Sequence, residues 1–339
     1  MTLTNARPRD AADAAGTGSL VRKSVEEEAL VTGWRPLTET SQLVTARWPR
    51  EHGFYVEGGR YSSLLLTESL RQALALLTHT VHDIPLTHRL GWEQIRSTVD
   101  PGALSTGSGA GEVELLITHP QVRRRRLGSV HLTSQVEATL AGRPIGTASL
   151  RYSAHPPAIY DRLRGEHADA ARAFARALPL TPPVPAALVG RGDTGNVVLS
   201  PTSGTHTWLL RVDTSHRVLF DHPHDHIPGM VLLEAASQAA QLTTAAGAVV
   251  PVVPVVFDTT FYRYVEFDQR CLVTAEPGVP EADGRVSVAV KAHQGGHLVF
   301  ASTVTVQPQV CPAIRSSARG QSASTSRPPS RTSGVVSRT

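Results

Sequence analysis

One helical phrase is written twice in this chain, as TESLRQALALL around Glu68 and as LEAASQAAQLT around Glu234. Glu68, Gln72 and Ala73 recur 166 positions later as Glu234, Gln238 and Ala239. A helix repeated with an acid and an amide at the same places predicts two fused structural repeats that share one functional arrangement. The flanking stretches agree. In the first half, SQLVTARWP (41–49) reads as a strand and GRYSSLLLTESLRQALALLTHTV (59–81) as a helix. Leu66, Leu70, Ala73 and Leu77 recur there at helical spacing, and Ser62 or Ser63 can cap the start. Strand-like runs follow at 90–99, 112–119, 129–140 and 143–153. The second half repeats this order, with a strand at 207–213, a helix at 228–248, and strands near 252–267, 269–277, 285–293 and 297–307.

A long apolar helix followed by an antiparallel meander predicts a helix lying in the concave face of a curved sheet. Two such units set edge to edge give an α+β architecture, the double hotdog, with a substrate tunnel between the units. At 339 residues the chain is long enough for two cores of ordinary domain size. The expected organisation is a disordered N-terminus (1–24), a first repeat (25–153), a connection with a short helical patch (154–206), a second repeat (207–310) and a disordered basic tail (311–339).

Charge has to be located before it is interpreted, because a pI near 9.4 could suggest nucleic-acid binding. Residues 312–339 carry Arg315, Arg319, Arg327, Arg331 and Arg338 and no acid, so the remainder is about neutral, 4 − 5 = −1. The basic balance belongs to a Ser, Thr, Pro and Arg tail, and no nucleic-acid partner is expected. No run approaches the roughly 20 apolar residues that span a bilayer. The polar opening lacks the apolar segment of a secretory signal, so a cytoplasmic location is expected, without membrane contact. Cys271 and Cys311 are too few for a disulfide framework and lack metal-ligand spacing.

The segment FDHPHDHIPGMVLLEAASQAA (220–240) carries the chemistry. Pro228 and Gly229 precede the helix, so N–H groups of its first turn are unpaired at the positive end of the helix dipole. A thioester carbonyl there would have its oxyanion stabilised, and glycine lets the substrate approach the backbone. Glu234 follows on the helix, where a buried carboxylate can serve as general base or acid. The segment resembles the bacterial 3-hydroxyacyl-carrier-protein dehydratases, whose pattern runs F-x-G-H-F-P, a spacer, P-G-V-L, then an acid. In that comparison His222 falls on the dehydratase histidine and Glu234 on its acid, with a spacing two residues shorter.

A fuller resemblance covers roughly residues 25–310. WPREHGFY (48–55), ESLRQA (68–73), RVDTSHRVLFDHPHDHIPGMVLLEAASQAA (211–240) and FYRYVEFD (261–268) are similar to the A-factor biosynthesis, or AfsA-like, family of actinobacterial γ-butyrolactone signal synthases. Membership implies an acyl transfer, in which a 3-oxoacyl group moves from an acyl carrier protein thioester to the hydroxyl of dihydroxyacetone phosphate. No cofactor is implied. Such a transfer needs a base, an oxyanion site and cations for the phosphate. Glu68 and Glu234 are candidates for the base. Arg71, three residues after Glu68 on the same helical face, is the first candidate for the phosphate, and Arg263, between Tyr262 and Tyr264, is the second. Gln72, Gly229 and Gln238 complete the expected substrate contacts. The family pattern E-x-x-R-Q is complete at Glu68, Arg71 and Gln72, but the second copy has Ser237 where the family usually carries arginine, and serine supplies neither charge nor a bidentate phosphate contact.

Other readings stand beside these. His222, His224, Asp225 and His226 could suggest a metal cluster, but the intervening prolines favour an extended lead-in to the helix, and no metal is expected. His52 holds a similar lead-in place before Glu68. The run Arg123 to Arg126 is a solvated strand connection or a docking place for an acidic carrier protein. Dimerisation of the fused pair stays open. The alternatives to the acyltransferase are a hotdog dehydratase or thioesterase, which would use a β-proton or water in place of the phosphorylated alcohol, and a non-catalytic ligand-binding homologue.

Overall fold

A single antiparallel sheet of twelve strands organises the computed structural model, which describes residues 17–244, 252–309 and 334. The first repeat contains α1 (Thr17–Val21), β1 (Val31–Pro36), β2 (Ser41–Trp48), β3 (Val56–Glu57), β4 (Arg60–Tyr61), α2 (Ser63–Thr80), β5 (Arg89–Val99), β6 (Gly111–Arg124), β7 (Val130–Leu140) and β8 (Arg143–His155). Two short helices follow, α3 (Pro157–Arg164) and α4 (Ala170–Ala175). The second repeat has β9 (Leu199–Pro201), β10 (Thr207–Leu210), α5 (Gly229–Thr244), β11 (Val252–Phe261), β12 (Cys271–Pro277), β13 (Val286–Gln294) and β14 (His297–Pro308).

The large sheet runs β1-β2-β6-β7-β8-β5-β11-β14-β13-β12-β10-β9. Read from its centre outwards, each strand of one repeat meets its counterpart in the other, so the order mirrors itself about the β5–β11 pair. That seam pairs Thr98 with Val256 through to Gln94 with Thr260. The small β3–β4 ribbon stands apart from it. Alternation decides which face of a strand enters the core: in β7, Val130, Leu132, Ser134, Val136 and Ala138 are buried and the residues between them are not.

Helix α2 is enclosed on almost every side, with only Arg71 and His79 short of full burial. A helix so surrounded carries leucine and alanine on every face rather than along one stripe, and its polar side chains are buried with them. Its interior hydroxyls are satisfied locally: Ser69 and Thr78 donate to the carbonyls four residues back, at 2.9 and 2.6 Å. Ser62 caps the start by accepting from the amide of Leu64. Helix α5 repeats this enclosure.

The expected helices and core strands agree with the observed elements to within a few residues, except that β11 stops at Phe261. Residues 245–248 of the second expected helix, Cys311 and the arginines of the tail lie outside the described residues. The segment 154–206, expected as a connection, supplies β9 at the sheet edge. Among the described residues no helix is long and apolar enough to cross a membrane.

Candidate active site

The duplication extends beyond the helices to the segments around them. His52 and His216 correspond (216 − 52 = 164), as do Glu57 and Asp221 (221 − 57 = 164). Lys23 and Arg191 correspond across 191 − 23 = 168 positions. Hydrogen bonds repeat with the numbering. The Nδ1 atom of His52 accepts from the amides of Phe54 and Tyr55, and that of His216 accepts from Val218 and Leu219. Gln72 accepts from the amide of Leu30 and donates to the carbonyl of Glu28, while Gln238 accepts from Val198 and donates to Asn196. Even the backbone agrees, since Arg22 and Gly190 share positive φ angles of 57° and 66°.

Each glutamate site is assembled from both repeats. Glu68 on α2 is almost wholly buried and accepts two bonds from Arg71, both 2.8 Å, and one from Gln72 at 2.8 Å. Lys23 Nζ lies 3.4 Å from the same carboxylate. Burial alone would raise the Glu68 pKa, but the charges of Arg71 and then Lys23 overcome it and hold the value down to about 2. Glu68 is therefore ionised. From the opposite repeat, Asp221 accepts from the amide of Ser24 at 2.8 Å, and Lys23 donates to the carbonyl of Val218 at 3.4 Å. His222 Nδ1 stands 2.7 Å from Asp221. His222, His224 and Asp221 thus face the Glu68 network, close enough for Asp221 to stabilise the charge of Arg71 and for Arg71 to oppose protonation of His224.

Glu234 on α5 has the mirrored arrangement with fewer charged groups. Arg191 Nε donates to it at 2.9 Å, its Nη2 lies 2.6 Å from the other oxygen, and Gln238 donates at 2.6 Å. Arg191 also donates to the carbonyl of Phe54 at 2.6 Å and lies 4.5 Å over that ring. Glu57 accepts from the amide of Gly192 at 2.9 Å, as Asp221 does from Ser24. Gly58 stands where His222 stands, and Ser237 where Arg71 stands. Ser237 and Arg191 border a cavity of about 300 Å³.

These contacts change the expected grouping. His222 and Glu234 fall in one sequence segment, yet Asp221, 2.7 Å from His222, accepts from Ser24 next to Lys23, which puts the pair on the side of the glutamate of the other helix. Arg263 lies past the end of β11 and is exposed, so the strand alternation expected around it is absent and it stays outside both glutamate networks. Gly229 does open α5, with Phe261 and Trp92 packed over it at 3.1 and 3.8 Å from where a Cβ would lie. Trp92 belongs to the first repeat, so this helix start also faces across the seam.

Asp221 and three cations escaped the sequence reading. Lys23 lies in the expected disordered N-terminus and Arg191 in the expected connection; the 168-residue offset between them is the signal the sequence offers. The third is Arg164 of α3, which is buried, bonds Asp225 at 3.0 Å and Glu266 at 2.6 and 2.8 Å, and lies 4.3 Å over Tyr264. Its partners hold its pKa above the ordinary value against the effect of burial. Tyr160 adds a 2.5 Å bond to Asp225. This clamp fixes the His-rich lead-in from outside. Of the four residues His222, His224, Asp225 and His226, the structure groups His222 and His224 with Asp221, close enough together to hold a metal ion, while Asp225 is engaged by Arg164 and Tyr160.

The family model of the A-factor biosynthesis hotdog domain matches residues 5–156 and 173–309. The chain belongs to the A-factor biosynthesis family. Relatives named 2-oxo-3-(phosphooxy)propyl 3-oxoalkanoate synthase include one from Streptomyces virginiae, 36% identical over 84% of this chain and 95% of its own length. Another, from Streptomyces coelicolor, is 38% identical over 85% of this chain and 90% of its own. A solved acyl-ACP thioesterase from Bacteroides thetaiotaomicron is 13% identical over 78% of this chain and 98% of that one, with a TM-score of 0.45. Within the family fold, the double hotdog, the two glutamate sites of this member are unequal.

Proposed function

We propose that this chain is an acyltransferase that moves a 3-oxoacyl group from an acyl carrier protein thioester to the hydroxyl of dihydroxyacetone phosphate, in the cytoplasm, as a step towards γ-butyrolactone or butenolide signals. The product named for the relatives is the matching ester. The observation that carries the reading is the clustering of Arg71, Lys23, Glu68 and the Asp221–His222 pair at one cross-repeat site. The second site has Gly58 and Ser237 at the corresponding places.

In this reading His222 is the base. Asp221 orients its imidazole, which takes the proton of the acceptor hydroxyl as that oxygen attacks the thioester carbonyl. The first-turn amides of α5, at Gly229, stabilise the oxyanion. Collapse of the tetrahedral intermediate breaks the C–S bond, and His222 returns the proton to the leaving thiolate. Arg71, with Lys23 beside it, takes the phosphate, while Glu68 and Gln72 hold those cations in place. Glu234, Gln238 and Arg191 keep the second repeat in register without turnover.

The test is incubation with a 3-oxoacyl carrier thioester, with and without dihydroxyacetone phosphate. Acceptor-dependent thiol release is expected, and His222→Asn should lower kcat by roughly 10²-fold or more. Release that ignores the acceptor would favour hydrolysis or elimination. Full transfer by Glu68→Gln would remove the assignment of this site.

A further inference from the structure

From His119 to Val136 the chain has no acidic residue and no Phe, Tyr or Trp, and this interval builds the β6–β7 hairpin. Its four arginines, Arg123 to Arg126, are all exposed. Arg124 donates to the carbonyl of His82, just past the end of α2, and fastens the hairpin there. Arg123 and Arg125 line a cleft of about 350 Å³ together with His131 and Arg151. Its one acid, Glu93, is already engaged by His131 at 3.1 Å and Arg151 at 3.4 Å. Three arginines against one carboxylate leave the cleft positive, 3 − 1 = +2 with histidine neutral. At the turn, Leu127 is 71% exposed and puts an apolar side chain amid the charge.

This patch continues towards the site. Val130 of β7 pairs with Ala154 of β8, and His155 of β8 with Arg89 of β5. Arg89 therefore lies two strands from the hairpin on the same rim, roughly 10 Å away. Behind it Arg22 donates to the carbonyls of Leu86 and His88, and it feels the charges of both Arg89 and Arg71. Cations thus run from the hairpin through Arg89 and Arg22 to the Glu68 site.

We propose that the β6–β7 hairpin is the docking surface for the acyl carrier, an acidic protein face seated on Arg123, Arg125 and Arg126 around Leu127, with the phosphodiester of its pantetheine arm passing Arg89 and Arg22. The inference rests on the acyl-transfer reading above. Charge complementarity selects the partner. A single-stranded nucleic acid is the poorer fit, because the hairpin offers no aromatic ring on which a base could stack.

The experiment compares two donors of one 3-oxoacyl group, carrier-bound and attached to N-acetylcysteamine, in the wild type and in Arg123→Glu/Arg125→Glu/Arg126→Glu. Reversal of the charges should raise KM for the carrier-bound donor ~10-fold or more and invert its salt dependence, so that added salt lowers KM instead of raising it, with kcat and the rate on the small thioester held. An unchanged carrier KM overturns the proposal. If the glutamate variant fails with both donors, the corresponding glutamine variant is read by the same criterion. If the wild type transfers from neither donor, it is the acyl-transfer reading that fails. Carrier binding measured directly, with wild type and triple variant equal, would then overturn docking.

Discussion

Arg191 stands beside Glu234 as Lys23 stands beside Glu68, and each reaches on to a carbonyl of the opposite repeat, Phe54 for Arg191 and Val218 for Lys23. The pair ties each carboxylate to the neighbouring repeat's lead-in loop, which is why neither site is complete within one repeat. The difference between them is the second cation. Glu68 also holds Arg71 in two bonds, whereas Glu234 faces Ser237. Arg191→Met strands a buried carboxylate and should cost about 3–5 kcal/mol. Lys23→Met leaves Glu68 on Arg71 and should cost about 1 kcal/mol. Urea unfolding of the two variants measures both, and equal losses would contradict the assigned roles.

The cavity of about 300 Å³ beside Ser237 predicts that this position accepts a large side chain. Ser237→Arg gives Glu234 a second cation without displacing packed atoms, so stability should change by less than about 1 kcal/mol. Transfer should stay close to wild type if only the Glu68 site turns over. A several-fold gain in kcat would instead mean that the second site works once its arginine is restored.

The repeated phrase made the core of the fold legible because period and duplication are local properties of a sequence. Glu68, Arg71, Gln72, Glu234 and Gln238 were legible for the same reason: they sit at fixed spacing on one helix each. What the sequence concealed was the pairing across the seam. Adjacency in the chain suggested His222 with Glu234, yet the β5–β11 pairing sets the lead-in of one repeat against the helix of the other. Lys23 and Arg191 in irregular stretches and Arg164 on a short polar helix were hard to read, because a single cation in polar surroundings looks solvated until a buried carboxylate arrives from far along the chain. Arg263 was the converse error, since β11 ends before the alternation that would have oriented it.

Arg164 should behave as a positioning residue. Replacing it with leucine removes the bonds to Asp225 and Glu266, two largely buried acids, and should cost about 3–5 kcal/mol. Because Asp225 lies three residues after His222, the loss should also loosen the lead-in. The expected result is a lower kcat with its pH profile displaced, partly restored by Arg164→Lys. A variant that is less stable but keeps both kcat and pH profile would confine Arg164 to the fold.

Acid sensitivity should arrive in two stages. Burial, and then the neighbouring His82, lower the pKa of His119 to about 3, and burial followed by the charges of His222 and His226 lowers His224 to about 3. Both are neutral in the folded protein. Between 6.5 and 3 the unfolded chain binds these protons first, so their contribution is complete above 6.5 and is lost as pH falls through that window. Glu68 acts later: with its folded value near 2 against an ordinary 4.5, its stabilisation is complete above 4.5 and disappears towards 2. Stability should therefore already fall between pH 7 and pH 5. The buried His119 contributes a slope of up to about 1.4 kcal/mol per pH unit. His119→Gln should lessen the slope of that first stage, to which His224 still contributes, while leaving the second, and Glu68→Gln should do the reverse. Urea midpoints followed from pH 7 down to pH 3.5 separate the two, and a His119→Gln protein with the wild-type slope above pH 5 would show that this histidine is not the group responsible.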